Sequence, residues 1–188
     1  MKKSKFIVLA APSGSGKTTL VNKLLTEAKL NLEFSISATS RKPRKGEING
    51  KNYFFLSKDD FLKKIENNEF LEWEEVYKDT FYGTLVSELE VSTSKNIIFD
   101  IDVIGGLNIK KKFPNQTLTI FIKPPSISEL ESRLKKRKSE TDSSIKIRIE
   151  KAKYEMMLAR EFDCIVENDI LEKSYLKVFR LVNNFINE

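Results

Sequence analysis

Two sets of residues in this 188-residue chain could do chemistry on phosphate groups. The first is the run Ala11-Pro12-Ser13-Gly14-Ser15-Gly16-Lys17-Thr18, continued by Thr19. Gly14 and Gly16 let the backbone curl so that several N–H groups point at one anion. A helix opening at Lys17 adds its unpaired N–H groups and the positive end of its dipole. Lys17 reaches the outer phosphates of a nucleotide in such a loop, and the Thr18 hydroxyl binds Mg²⁺ or one of its waters. Ala11 stands where the general pattern has its first glycine. The second set is arginine, whose planar fork matches phosphate oxygens in pairs. Arg41 and Arg44 share a loop that Pro43 and Gly46 keep from being a long helix. Arg133 and Arg137 are four apart and project from one helical face, and Arg148 follows near the start of the next helix. Asp100 ends an apolar run and could hold Mg²⁺ near the glycine-rich loop. Each has a plainer reading: a glycine-rich turn with a surface lysine, a solvated basic turn, a solvated helical face, or a carboxylate capping a helix.

The flanking elements decide the first case. Phe6–Ala10 reads as a buried strand, and Leu20, Val21, Leu24 and Leu25 give the following helix an apolar face. Strand, glycine-rich turn and helix in that order is the setting a phosphate-binding loop requires. Residues 34–38 alternate as a strand. Asn49-Gly50 signals a hairpin before a strand at 53–55, and Ser57 with Asp60 signals a capped helix bearing Phe61, Leu62 and Ile65. Residues 70–76 read as a strand in which Glu72 sits between apolar neighbours and needs a partner. Tyr82-Gly83-Thr84 reads as a turn. Asn96–Asp100, extended by Ile101-Asp102, reads as a buried parallel strand with carboxylates at the end where ligands bind in open α/β sheets. Strands at 118–122 and 163–166 follow, with helices from Ser126 or Ser128, over 144–160 and over 171–187. The last presents Leu176, Phe179, Val182 and Ile186. Residues 139–144 read as an exposed polar loop.

Composition narrows the chemistry. The chain has no histidine, so histidine-based acid–base catalysis and histidine metal sites are excluded. One cysteine, Cys164, excludes an internal disulfide and a multi-cysteine zinc site, and a cytoplasmic protein is the expectation. No apolar run approaches the roughly 18–20 residues of a membrane span. The net charge of +6 invites a nucleic-acid reading, but the lysines are interspersed with glutamates as on a solvated surface. Neither nucleic acid, nor a membrane, nor an obligate protein partner is expected.

With these residues in place, the sequence resembles the guanylate kinase family from Lys5 to about Ile186. Ala11–Lys17 follows that family's own form of the phosphate loop. Thr39–Phe55 matches its signature Thr-x-Arg-x-Pro-Arg-x-Gly-Glu with the Asn-Gly and Tyr-x-Phe after it. The resemblance implies an α/β fold: a P-loop NTPase-type parallel sheet core flanked by helices, with a small mixed α/β GMP-binding insert and a helical lid. The core would span about 1–33, 86–125 and 150–188, the GMP-binding segment about 34–85 and the lid about 126–149. It implies transfer of the ATP γ-phosphoryl group to GMP or dGMP with Mg²⁺. Residues 11–19 and Asn168 would bind ATP, and Thr18 and Asp100 the metal. Arg41, Arg44, Tyr53 and Tyr82 would bind the GMP phosphate; Ser37, Glu72, Thr84 and Asp102 would bind guanine. Lys17, Arg41, Arg133, Arg137 and Arg148 would be catalytic. A carboxylate at Glu72 accepts both adjacent donors of guanine, a pair adenine lacks. The chain departs from the family in an extra residue near 77–80, in lacking a glutamine after Asp102, and in Lys138. Two alternatives are a non-catalytic interaction module of the same fold and a related kinase with another phosphorylated acceptor. Three arginine groups on separate segments also imply inward hinge motion on substrate binding.

Overall fold

The computed structural model of the chain describes residues 4–90, 95–136 and 141–188. Its strands are β1 (Phe6–Ala10), β2 (Leu32–Ser35), β3 (Ala38–Thr39), β4 (Phe54–Phe55), β5 (Phe70–Tyr77), β6 (Thr80–Leu85), β7 (Asn96–Ile101), β8 (Thr117–Lys123) and β9 (Cys164–Glu167). Its helices are α1 (Lys17–Leu25), α2 (Lys58–Glu66), α3 (Ser87–Glu90), α4 (Val103–Lys112), α5 (Ile127–Lys136), α6 (Asp142–Met157) and α7 (Leu171–Asn187).

The main sheet runs β2-β7-β1-β8-β9, and every pair in it is parallel. β1, at its centre, is buried along its whole length, as a strand covered on both faces must be. Ile7 and Leu9 join Leu20, Val21 and Leu24 of α1 and Val178, Val182 and Ile186 of α7. Phe6 and Val8 point the other way, onto Phe99 and Ile109. Edge-to-face rings tighten that side, with centroids 5.6 Å apart for Phe6–Phe99 and 5.2 Å for Phe6–Phe113.

A second sheet, β4-β3-β6-β5, is mixed, with β3–β4 parallel and the other two pairs antiparallel. α2 covers it with Phe61, which is fully buried and stacked on Phe70 at 4.3 Å. Truncating such a ring to alanine costs about 3–5 kcal/mol. Ser57 caps α2 by accepting from the Asp60 N–H. A third cluster joins α5 to α6 through Leu130, Leu134, Ile145 and Ala152.

Several local expectations are corrected. Residues 34–38 are not one strand: the chain leaves the main sheet after Ser35 and enters the small sheet at Ala38, with the Ile36 N–H held by Glu88 Oε2 at 2.6 Å. Asn49-Gly50 does turn the chain, but no hairpin follows, because β4 pairs parallel with β3. Tyr82-Gly83-Thr84 is strand, not turn. Gly83 is required there because a Cβ would stand 2.7 Å from the Glu72 carbonyl across the β5–β6 pair. Asp102 does not extend β7; it caps α4, its Oδ1 accepting from the Gly105 N–H at 2.9 Å. α6 begins at Asp142 under a Thr141 cap, so the polar loop is shorter than expected, and Ser139 and Glu140 lie outside the described residues. Leu176 is half exposed, and the buried stripe of α7 runs instead through Ser174, Val178, Val182 and Ile186.

Candidate active site

β1 ends at the C-terminal edge of the main sheet, and the loop 11–16 carries the chain directly into α1. Gly14 and Gly16 have φ of 100° and 85°, the left-handed region that glycine occupies without strain. Gly16 is required for space as well, since a Cβ would come within 2.4 Å of Asn168 Nδ2. That amide donates to the Ser15 carbonyl at 2.7 Å and pins the loop from below. Asn168, expected to bind ATP, is buried, with its side chain against the phosphate loop. Ser15 Oγ is also buried, without a hydrogen-bond partner among the described residues.

Lys17 and Thr18 both turn to Asp100 on the neighbouring strand β7. Lys17 Nζ is 2.7 Å from Asp100 Oδ1 and also donates to the Ile101 carbonyl, and the Thr18 hydroxyl donates to Asp100 Oδ2 at 2.7 Å. A hydroxyl and a carboxylate are hard oxygen donors, which suits Mg²⁺ bound mainly through a nucleotide's phosphates and water. Among the described residues no cluster of three or more acidic or cysteine side chains is placed to hold a metal.

Across the cleft, Arg41 is bidentate to Glu47, at 2.7 Å from Nη1 to Oε2 and from Nη2 to Oε1. Its Nε donates to Tyr82 Oη at 3.1 Å, and its guanidinium lies 4.9 Å from the Tyr53 ring centre. The bond from Arg41 holds the Glu47 carboxyl below its usual range. Burial, then the charge of Asp100, pushes the Tyr53 phenol up to about 12. Arg44 also lines the cleft, and its N–H is held by Glu47 Oε2 at 2.6 Å.

Glu72 is 6% exposed and accepts from the buried Thr84 hydroxyl at 2.7 Å. Burial, then the charge of Asp102, raises it to about 7. α4 passes so close that a Cβ at Gly105 would meet Glu72 Oε2 at 2.5 Å. Ser37, Glu72 and Asp102 stand together in one cleft of about 240 Å³ with residues 11–19, Arg41, Arg44, Tyr53, Tyr82, Asp100 and Arg148. Thr84 joins them through Glu72.

The three lid arginines fare differently. Arg148 donates to Ser13 Oγ at 3.1 Å and to Tyr77 Oη at 2.9 Å, joining the phosphate loop to β5. Arg133 turns to Glu129 at 2.8 Å and to the Asn168 carbonyl at 3.5 Å, outside the cleft lining. Arg137 and Lys138 lie outside the described residues. Glu47, Tyr77, Lys151 and Glu155 are site residues that escaped the sequence reading. Glu47 had a signal, as the last residue of the Thr39–Glu47 pattern. Lys151 and the buried Glu155, both in the cleft lining, had none beyond helical spacing. Burial raises Glu155 to about 7, against the charge of Lys151.

A cleft with a phosphate loop on one wall and a buried carboxylate with paired arginines on the other suits phosphoryl transfer between two nucleotides. The sequence model of the guanylate kinase family matches residues 3–185. The chain belongs to the guanylate kinase family. It is 50% identical over 186 residues to the guanylate kinase of Bacteroides thetaiotaomicron, covering 98% of this chain and 91% of that one. It is 49% identical to the guanylate kinase of Porphyromonas gingivalis, covering 97% and 98%. The crystal structure of guanylate kinase from Anaplasma phagocytophilum superposes with a TM-score of 0.81 at 28% identity, covering 99% of this chain and 88% of that one. The chain is thus an ATP:GMP phosphotransferase on a P-loop NTPase-type core, and the interaction-module and other-acceptor alternatives give way to it. Among the described residues no helix is long and apolar enough to cross a membrane.

Proposed function

We propose that the residues gathered in this cleft divide the guanylate kinase reaction as follows. The backbone N–H groups of 11–19 and Lys17 hold the ATP phosphates. Thr18 and Asp100 would hold Mg²⁺, which would supply charge neutralisation to the phosphates. Arg41, Arg44, Tyr53 and Tyr82 hold the phosphate of GMP, while Glu72 and Asp102, with Ser37 and Thr84, read guanine. Arg148, joined by Arg133 and Arg137, stabilises charge on the transferring group. The acceptor oxygen is already anionic, so no general base is needed, consistent with a histidine-free chain. Positioning and charge neutralisation carry the rate. Residues 34–85 act as the acceptor segment and 126–149 as the lid on a core of 1–33, 86–125 and 150–188, a division the separate small sheet supports. dGMP, which carries the same base and the same phosphate, is an acceptor too. ATP, GMP and dGMP are the ligands, without nucleic acid, membrane or obligate protein partner, in the cytoplasm.

The observation that carries this reading is the single cleft shared by the phosphate loop, Glu72 and Arg41. A steady-state assay with GMP, dGMP, AMP, CMP and UMP, with and without EDTA, tests it. GMP and dGMP should react, AMP should be worse by about 10³-fold or more in kcat/KM, and chelation should stop turnover. Phosphorylation of AMP or UMP as fast as GMP would defeat the guanine assignment.

A further inference from the structure

We propose that Tyr77 is a positioning residue for phosphoryl transfer: it seats Arg148 on the acceptor-side sheet, so that sheet and lid place this arginine together. The inference rests on the reading that Arg148 acts on the transferring group.

Tyr77 is the last residue of β5, paired with Thr80 across the two-residue turn Lys78-Asp79. Asp79 has φ 59°, and its N–H donates to Glu75 Oε1 at 2.6 Å, so the turn is tied locally and fixes the strand end. The Arg148 guanidinium lies 4.9 Å from the Tyr77 ring centre while its Nη1 donates to the phenol oxygen at 2.9 Å. The ring face attracts the cation and the hydroxyl fixes its rotation about the stacking axis. The same Nη1 donates to Ser13 Oγ in the phosphate loop.

A second tie runs from α6 to the same strand. Lys151, three residues on and hence on the same helical face, places Nζ 3.3 Å from Glu74 Oε1 and 3.5 Å from the Val76 carbonyl. Arg148 and Lys151 are like charges and would splay apart; a ring and a carboxylate on one strand gather them. A stacked guanidinium is ordered before the reaction, so less rotamer freedom is lost when the transferring group arrives.

Double-mutant kinetics with ATP and GMP test the seat. Tyr77→Phe keeps the ring and loses the hydroxyl; Tyr77→Leu loses both. We expect kcat to fall about threefold and about tenfold respectively, with KM for both substrates within about twofold of the parent. Lys151→Met should show a smaller loss in the same direction. In an Arg148→Ala background the Tyr77 effects should vanish, which a role in stability alone would not produce. Full turnover in Tyr77→Leu beside a large loss in Arg148→Ala overturns the seat while sparing the reading of Arg148. An undiminished Tyr77 effect in the Arg148→Ala background also overturns the seat. Full turnover in Arg148→Ala overturns the reading of Arg148, and the seat with it.

Discussion

The donor wall of the cleft comes from consecutive residues, 11–18, whereas the proposed acceptor wall draws on Glu72, Tyr82 and Thr84 of the small sheet, on Ser37, Arg41, Arg44 and Tyr53 beside it, and on Asp102 at the start of α4. The donor wall is mainly backbone, curled by Gly14 and Gly16 and pinned by Asn168. The acceptor wall is mainly side chains already matched to each other, Arg41 to Glu47 and Glu72 to Thr84. A backbone cradle binds any polyphosphate, so it gives affinity and little discrimination. Paired side chains leave unsatisfied groups when the wrong base enters, so they give discrimination. Substitutions on the two walls should therefore separate turnover from acceptor choice.

The largest effect should come from the one charged side chain of the donor wall. Lys17→Ala should lower kcat by about 10²–10³-fold, the range for a lost electrostatic donor, with the melting temperature close to the parent. Near-normal kcat would mean that the backbone alone does the catalytic work of this wall.

On the acceptor wall, Glu72→Gln keeps shape but loses the double acceptor. The expected loss is about 2–4 kcal/mol in kcat/KM for GMP, since buried donors on the base go unpaired. KM for ATP should stay within about twofold. An equal loss for both nucleotides would make Glu72 structural and erase the contrast between the walls.

The same substitution should improve stability. Glu72 ionises near 4.5 as a free group but at about 7 in the fold. Between those values the folded protein holds more protons than the unfolded chain, so stability declines as pH rises through this window. At about 1.4 kcal/mol per pH unit the penalty reaches at most about 3 kcal/mol above pH 7. Glu72→Gln should then melt a few degrees higher than the parent at pH 8 and nearly level with it at pH 5, by calorimetry at both. The same melting temperature as the parent at pH 8 would mean that Thr84 satisfies the carboxylate fully. A higher melting temperature there would mean that the guanine reading proposed for Glu72 is held at a cost to the fold, as buried functional charges often are.

The contrast between the walls also explains what could be read from the sequence. The donor wall is local: strand, loop, helix and the Asp100 strand end follow from hydrophobic runs and glycine spacing. The small sheet is not. Phe34–Ala38 alternates without a break, and nothing local tells that the chain changes sheets between Ser35 and Ala38. Gly83 reads as a turn because glycine usually marks one, yet its cause is the Glu72 carbonyl 2.7 Å from where a Cβ would be. Asp102 looks like a strand residue until α4 starts on it. Asn168 sits after the last strand, and only the folded sheet brings it under a loop that precedes it by more than 150 residues. The tie of Arg148 to Tyr77 shows the same limit, because helical spacing fixes a face but not the partner across from it.

A smaller effect than those at Lys17 and Glu72 probes how the acceptor wall is held ready. Glu47 accepts from both terminal nitrogens of Arg41 at 2.7 Å and from the Arg44 N–H at 2.6 Å, so one carboxylate closes the loop that carries both arginines. An incoming phosphate meets Glu47 in two ways. It competes for the Arg41 guanidinium, and it profits from the orientation that Glu47 imposes. Arg41 keeps Tyr82 and the Tyr53 ring when Glu47 is gone, but Arg44 loses the bond that turns its backbone. Orientation should therefore outweigh competition. Glu47→Gln should raise KM for GMP about tenfold, the size of one charge-assisted bond, with kcat and KM for ATP within about twofold. A lower KM for GMP would reverse the argument, making Glu47 a stand-in for the acceptor phosphate that must be displaced at each turnover.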